Sequence, residues 1–221
     1  MTVQELMRSS LLKFGVAPDN ARFSDDFYGA INDAQNDIAT SRPWGFLRTT
    51  GDLTTTASAS SVALPSNFLK PYDTSGALRI TSPAGSLGNK IELMPLEQWY
   101  ANYYEDGTDT DEPTYAYIMG DSLYLSPTPD AEYVIAMFYY KRPTVIANTD
   151  SDITVPTAYH ELLKKMVWRR LQDAGYSSVQ ELQISDADIR RLIGQAARDD
   201  IQKYGGLNFN LSSSTYTRRT V

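Results

Sequence analysis

The period of the apolar residues changes twice along this chain, and that limits the folds open to it. Residues 1–45 repeat every three to four positions, residues 46–143 alternate, and residues 144–205 return to the longer period. A repeat near 3.6 marks helices with one buried stripe, and a repeat of 2 marks strands. The order helices, strands, helices predicts an α+β protein. In it a four-helix domain is built from the two ends of the chain, and an antiparallel β-sandwich or barrel-like domain is inserted between them. The expected division is 1–45 with 144–205 for the helical domain, 46–143 for the β domain, and 206–221 for an extended C-terminal tail.

Local signals place the elements. Thr2 and Glu5 form a capping box that opens a helix over Val3–Phe14, with Val3, Met7, Ser10 and Phe14 on one face; Gly15 and Pro18 close it. Ser24 is the expected cap of a second helix running to about Arg42. Phe27, Ile31, Ala34 and Ile38 line its apolar stripe, and Asp26, Asp33 and Asp37 line another that reads as a solvated face. Pro43 ends this helix, and Trp44 and Phe46 follow as an anchor. "FLRTTGDLTTT", "SSVALPSNF", "ALRITS", "NKIELMP" and "EYVIAMFYYKRP" each read as strand.

"EPTYAYIMGDSLYLSPTPD" (112–130) reads as a hairpin turning at Gly120-Asp121, with its return strand stopped by Pro127 and Pro129. "LEQWYANYY" suits a short helix with Leu96 and Tyr100 one turn apart. Pro156 starts a helix through "TAYHELLKKMVWRRLQDAG". Ser185 with Asp188 opens the last helix, which runs to Tyr204 with Ile189, Leu192, Ile193, Ala196 and Ile201 facing inward.

Chemistry has few carriers here. The chain has no cysteine, so it has no disulfide or thiolate site. Its one histidine, His160, stands beside Glu161 without a nucleophile motif, so the reading is no enzyme and no cofactor. The best metal candidate is the loop "EDGTDTDEP", where Asp106, Asp109, Asp111 and Glu112 could supply oxygens. It lacks the glycine that a calcium loop needs after its third ligand and reads as a solvated loop. A formal charge of −7 opposes phosphate binding, and no run approaches the roughly 20 apolar residues of a membrane span. A protein kept in, or assembled from, a cytoplasm is expected. The 15 tyrosines suit half-buried interfaces. The alternative is a carbohydrate-binding or tail-fibre-type β module that uses them as its surface.

Three residues break their helix patterns. Trp168 projects on the charged side of its helix, as an interface anchor would. Arg170 falls in the middle of the apolar face, where a guanidinium needs a partner. A paired, largely buried guanidinium is expected, with Asp186, Asp188, the Asp33/Asp37 stripe or an acid of a neighbouring subunit as its partner. Asp200 interrupts the apolar face of the last helix. All three are candidate subunit-interface residues. In the tail, Leu207, Phe209 and Leu211 alternate without a domain of their own, followed by Tyr216, Arg218 and Arg219.

Several stretches, in order, resemble the head-to-tail adaptor (connector) proteins of tailed bacteriophages. "DDFYGAINDAQNDIATSRPWGFL" is similar to the family's Asn/Ala-rich second helix and its Trp–Phe–Leu ending, and "VALPSNFLKP" to its approach to the sheet. The 112–143 stretch resembles its hairpin and following strand, and "DITVPTAYHELLKKMVWRRL" its third helix. The resemblance spans about 20–205. It implies a structural virion protein that forms a homo-oligomeric ring, commonly of twelve, below the portal protein. Such a ring extends the DNA channel without binding DNA specifically and gives tail or nozzle proteins a platform. The tail residues Leu207, Phe209, Leu211, Tyr216, Arg218 and Arg219 would then dock on portal or a neighbouring subunit.

Overall fold

The first helix is set by its ends. In the computed structural model, which describes residues 1–72, 76–103, 109–177 and 184–204, the Thr2 hydroxyl accepts from the Glu5 N–H and the Glu5 carboxylate accepts from the Thr2 N–H. Helix α1 spans Val3–Phe14, and Gly15 closes it at φ 62°, a left-handed conformation free of strain only for glycine. Val3, Leu6, Ser10 and Phe14 are buried; Leu6 takes the place expected for Met7, which sits half-buried at the flank.

Helix α2 spans Ala21–Ser41 and starts earlier than Ser24. Asn20 caps it, its Oδ1 accepting from the Phe23 N–H at 3.0 Å, while the Ser24 hydroxyl donates back to the Asn20 carbonyl. The earlier start adds Phe23 to the buried stripe of Phe27, Ile31, Ala34 and Ile38.

The strands follow the alternating block: β1 (Arg48–Thr54), β2 (Ser61–Ala63), β3 (Phe68–Pro71), β4 (Leu78–Ser82), β5 (Lys90–Leu93), β6 (Thr110–Asp111), β7 (Tyr115–Met119), β8 (Ser122–Ser126), β9 (Thr128–Pro129) and β10 (Val134–Lys141). Between β5 and β6 lies α3 (Leu96–Tyr103). The main sheet runs β1-β10-β4-β5-β7-β8-β2, with β3 added to β10 beyond β4, and curls into a nearly closed barrel. It is not antiparallel throughout. β5 and β7 pair in parallel, because the chain crosses over through α3 before it returns.

The 112–130 hairpin forms with Met119 opposite Ser122, and Gly120 takes φ 61° in the two-residue loop. Ala116, Leu123 and Leu125 turn into the barrel. Tyr117 stacks on Tyr124 at 4.9 Å on the other face, where Trp99 of α3 covers them, 4.4 Å from the Tyr117 ring. So Trp99 is the inward residue of α3, and Leu96 and Tyr100 are exposed. Pro127 ends β8, but Pro129 lies in β9, opposite Asp111 of β6.

Pro156 leads into a 3-10 turn over Thr157–Tyr159 before α4 (His160–Asp173), and α5 spans Asp186–Tyr204 with the Ser185 hydroxyl accepting from the Asp188 N–H. Among the described residues five α-helices and the barrel enclose two hydrophobic cores. One gathers residues of α1, α2, α4 and α5 around Trp44; the other fills the barrel around Leu78, Ile80, Ile91 and Ile135.

The chain passes between the two cores twice, and side chains pin both crossings. At the first, the buried Asp200 carboxylate accepts from the Gly45 N–H with both oxygens, at 2.8 and 3.1 Å, and Arg48 Nη1 donates to the Tyr204 carbonyl at 3.3 Å. At the second, the Asn32 side chain both donates to the Ile146 carbonyl (2.9 Å) and accepts from its N–H (2.8 Å). Gln35 donates to the Thr144 carbonyl and accepts from the Thr154 N–H.

Candidate functional site

The residues singled out for chemistry are occupied locally. His160 Nε2 lies 2.8 Å from the Val155 carbonyl, and neighbouring Glu161 is paired with Lys164 at 2.6 Å. Burial lowers the imidazole pKa below its ordinary value; the Val155 carbonyl opposes this and the N-terminal ammonium adds to it. Among the described residues no group of three or more His, Cys, Asp or Glu side chains could hold a metal. Asp106 of the acidic loop lies outside them. Glu112 is a structural clasp: it accepts from the Ser86 hydroxyl and from Asn89 Nδ2, tying the turn before β5 to the strand region after α3.

The tyrosines are largely committed to the fold. The Tyr133 hydroxyl donates to Asp130, a bond that with burial pushes its pKa up to about 12. The Tyr139 hydroxyl donates to Asn67 and that of Tyr176 to Asp26. Tyr159 is buried against Trp44 and Phe46; burial and then the nearby Asp200 and Asp199 charges push its pKa up to about 12. A sugar-stacking surface would need these rings free.

Each of the three pattern-breaking residues has an intramolecular partner. Trp168 Nε1 donates to the buried Ser10 hydroxyl at 3.0 Å, and the ring packs against the helical core between Lys13 and Lys164, 5.9 and 5.2 Å from its centroid. The helical projection missed this because α1 lies over that side of α4. Arg170 pairs with Asp33 at 3.2 Å and with Asp37, so the supposedly solvated stripe of α2 receives a cation from α4. Its side chain keeps 34% exposure, less buried than expected. Asp200 is 3% exposed and serves the Gly45 N–H. Of this set only the Arg170 partners were foreseeable from sequence. The tail residues Leu207, Phe209, Leu211, Tyr216, Arg218 and Arg219 lie outside the described residues.

Part of the open surface is apolar. Leu96, Tyr100, Tyr72 and Met119 are exposed. A groove of about 330 Å³ runs beside β3, walled by Phe68, Leu69 and Pro71 on one side and by Leu93, Leu96 and Ile118 on the other. Among the described residues no helix is long and apolar enough to cross a membrane.

An open apolar groove is the kind of surface that meets another protein. The class comes from comparison with known families. The family model described as SU10 adaptor protein matches residues 1–209, and the chain belongs to that family of phage head–tail adaptors. Its role is structural and its place is the virion, where an adaptor meets portal and tail components. No curated protein matches the chain.

Proposed function

We propose that this chain is the subunit of a closed ring, commonly a dodecamer, seated below the portal and extending the DNA channel. In this reading residues 1–45 and 144–205 form the ring, and the barrel of residues 46–143 is the platform for the next tail protein. The observation that carries it is the joint between the units: both crossings are pinned by buried or half-buried hydrogen bonds, which restrain the angle of the barrel to the helices. A docking platform needs such a restraint. A cyclic ring also needs two different faces per subunit, and a chain with a helical core and a barrel core offers unlike surfaces for them.

The net charge of −7 fits a channel that DNA traverses during ejection without sticking. The test is light scattering on size-exclusion fractions of the chain alone and with portal. A portal complex whose added mass is near twelve times the 24.7 kDa subunit supports the ring. A chain that stays monomeric with portal and is retained on glycan resins would favour the carbohydrate-binding reading instead.

A further inference from the structure

The barrel wall is open beside β3. That strand pairs with β10 along one edge, and no described strand pairs with its other edge. The groove lies there, and Lys70 is the only charged residue along it. Pro71 cannot donate a backbone hydrogen bond, so an occupant must be held mainly by apolar side chains.

The chain beyond Tyr204 carries such a segment. Leu207, Phe209 and Leu211 alternate with Asn208 and Asn210. In extended form the three side chains point one way, about 7 Å apart. The segment starts close to the groove. The Tyr204 carbonyl is bonded to Arg48, Arg48 lies 4.9 Å over the Tyr72 ring, and Tyr72 directly follows Pro71 on the groove wall. Five extended residues span at most about 17 Å, enough to carry Phe209 from Tyr204 to β3. Gly205-Gly206 allow the chain to turn out of α5. Residues 207–211 carry no charge, so nothing in the segment opposes its entry into an apolar groove whose one charge is Lys70.

We propose that residues 207–211 occupy the groove beside β3 of their own chain in the isolated subunit, with Leu207, Phe209 and Leu211 against Phe68, Leu93, Leu96 and Ile118. A short tether holds the segment at millimolar effective concentration, so it covers the groove unless a partner displaces it. Groove and segment are then withheld from other subunits until that displacement, which gives assembly an order. The site itself rests on the groove and the tether; only this consequence rests on the ring.

The chain has no cysteine of its own, which makes a crosslinking test clean. The full chain carrying Leu96→Cys with Phe209→Cys is oxidised at high dilution, beside a control pair of Leu12→Cys, on exposed α1, with Phe209→Cys. The expected result is an intrachain disulfide forming about tenfold or more faster than in the control. A nitroxide on Phe209→Cys should broaden the methyl signals of Leu93, Leu96 and Ile118 and spare those of Leu6 and Leu11. Crosslinking no faster than the control, disulfides only between copies, or broadening that spares the groove methyls would each overturn the proposal. Both measurements use the free subunit without portal. Their failure leaves the ring standing, and failure to form a ring leaves them standing.

Discussion

Asp200→Ala is the perturbation that best tests the account of the joint. Asp200 lies inside the contact between α5 and the turn after α2, and its two oxygens accept from one N–H, that of Gly45. Among the described residues that N–H has no backbone acceptor in a turn or loop. Truncation to alanine leaves it buried without an acceptor, at a cost of about 1–3 kcal/mol, with bonds to charged groups toward the upper end. At roughly 2–4 °C per kcal/mol for a chain of this size, the melting temperature should fall by about 2–12 °C. Asp200→Asn keeps one oxygen acceptor and should lose about half as much. The same loss should appear locally: amide exchange at Gly45 should accelerate about 30-fold for 2 kcal/mol. Gly45→Ala should disrupt the same contact, since a Cβ there would overlap the Tyr204 side chain. An Asp200→Ala protein that melts within a degree of wild type, with unchanged exchange at Gly45, would refute the pin.

Three further outcomes follow from the geometry. Trp168→Ala should destabilise the monomer by about 2 kcal/mol, because a half-buried ring and its bond to Ser10 are lost; an unchanged denaturation midpoint would point back to an intersubunit role. Arg170→Leu should cost about 1 kcal/mol or less, since the pair is a third to three-fifths exposed, and the cost should shrink in high salt; a loss near 3 kcal/mol that salt does not touch would contradict this. His160 has a folded pKa lowered from 6.5, so protonation favours the unfolded chain: its contribution is complete above 6.5 and is lost as pH falls from 6.5 toward the folded value. Melting temperatures measured between neutral and mildly acidic pH should show that decline, and His160→Gln should flatten it; identical slopes would dismiss the assignment.

What the sequence made legible was periodic or capped. The capping box at Thr2, the stops at Gly15 and Gly175 and the hairpin at Gly120 rest on interactions within a few residues, and most strands show in their alternation although their partners lie far along the chain. What it hid depends on residues far apart in the chain. The cap at Asn20 won over Ser24 because Phe23 gains a place in the core. The projection that set Trp168 on a charged surface was correct for α4 alone and wrong once α1 lay across it. Asp200 read as a flaw in an apolar face, because its partner is an N–H in a turn 155 residues away. The parallel pairing of β5 with β7 left no periodic trace either, since alternation reports a strand's faces and not its direction.

The pins at the two crossings differ in kind, and the difference bears on how force passes through the molecule. The second crossing is fixed by neutral amides on α2, which lies deep in the helical core: Asn32 makes a reciprocal pair with Ile146, and Gln35 bridges Thr144 and Thr154. The first is fixed by a buried carboxylate and a carbonyl from the last two turns of α5. That helix is the least buried of the four in the helical core, with Ala196 and Asp200 its only buried residues. So the joint has one tight side and one side held by an element with little apolar surface of its own. A load on the barrel that peels α5 would release Gly45 and Arg48 together while Asn32 and Gln35 hold, so the barrel would swing about the second crossing. Shielding α5 in an assembly would remove that freedom. Amide exchange at Gly45 should then slow on assembly while exchange at Ile146 stays as it is, and equal slowing at both would mean that the two sides of the joint are equally stiff.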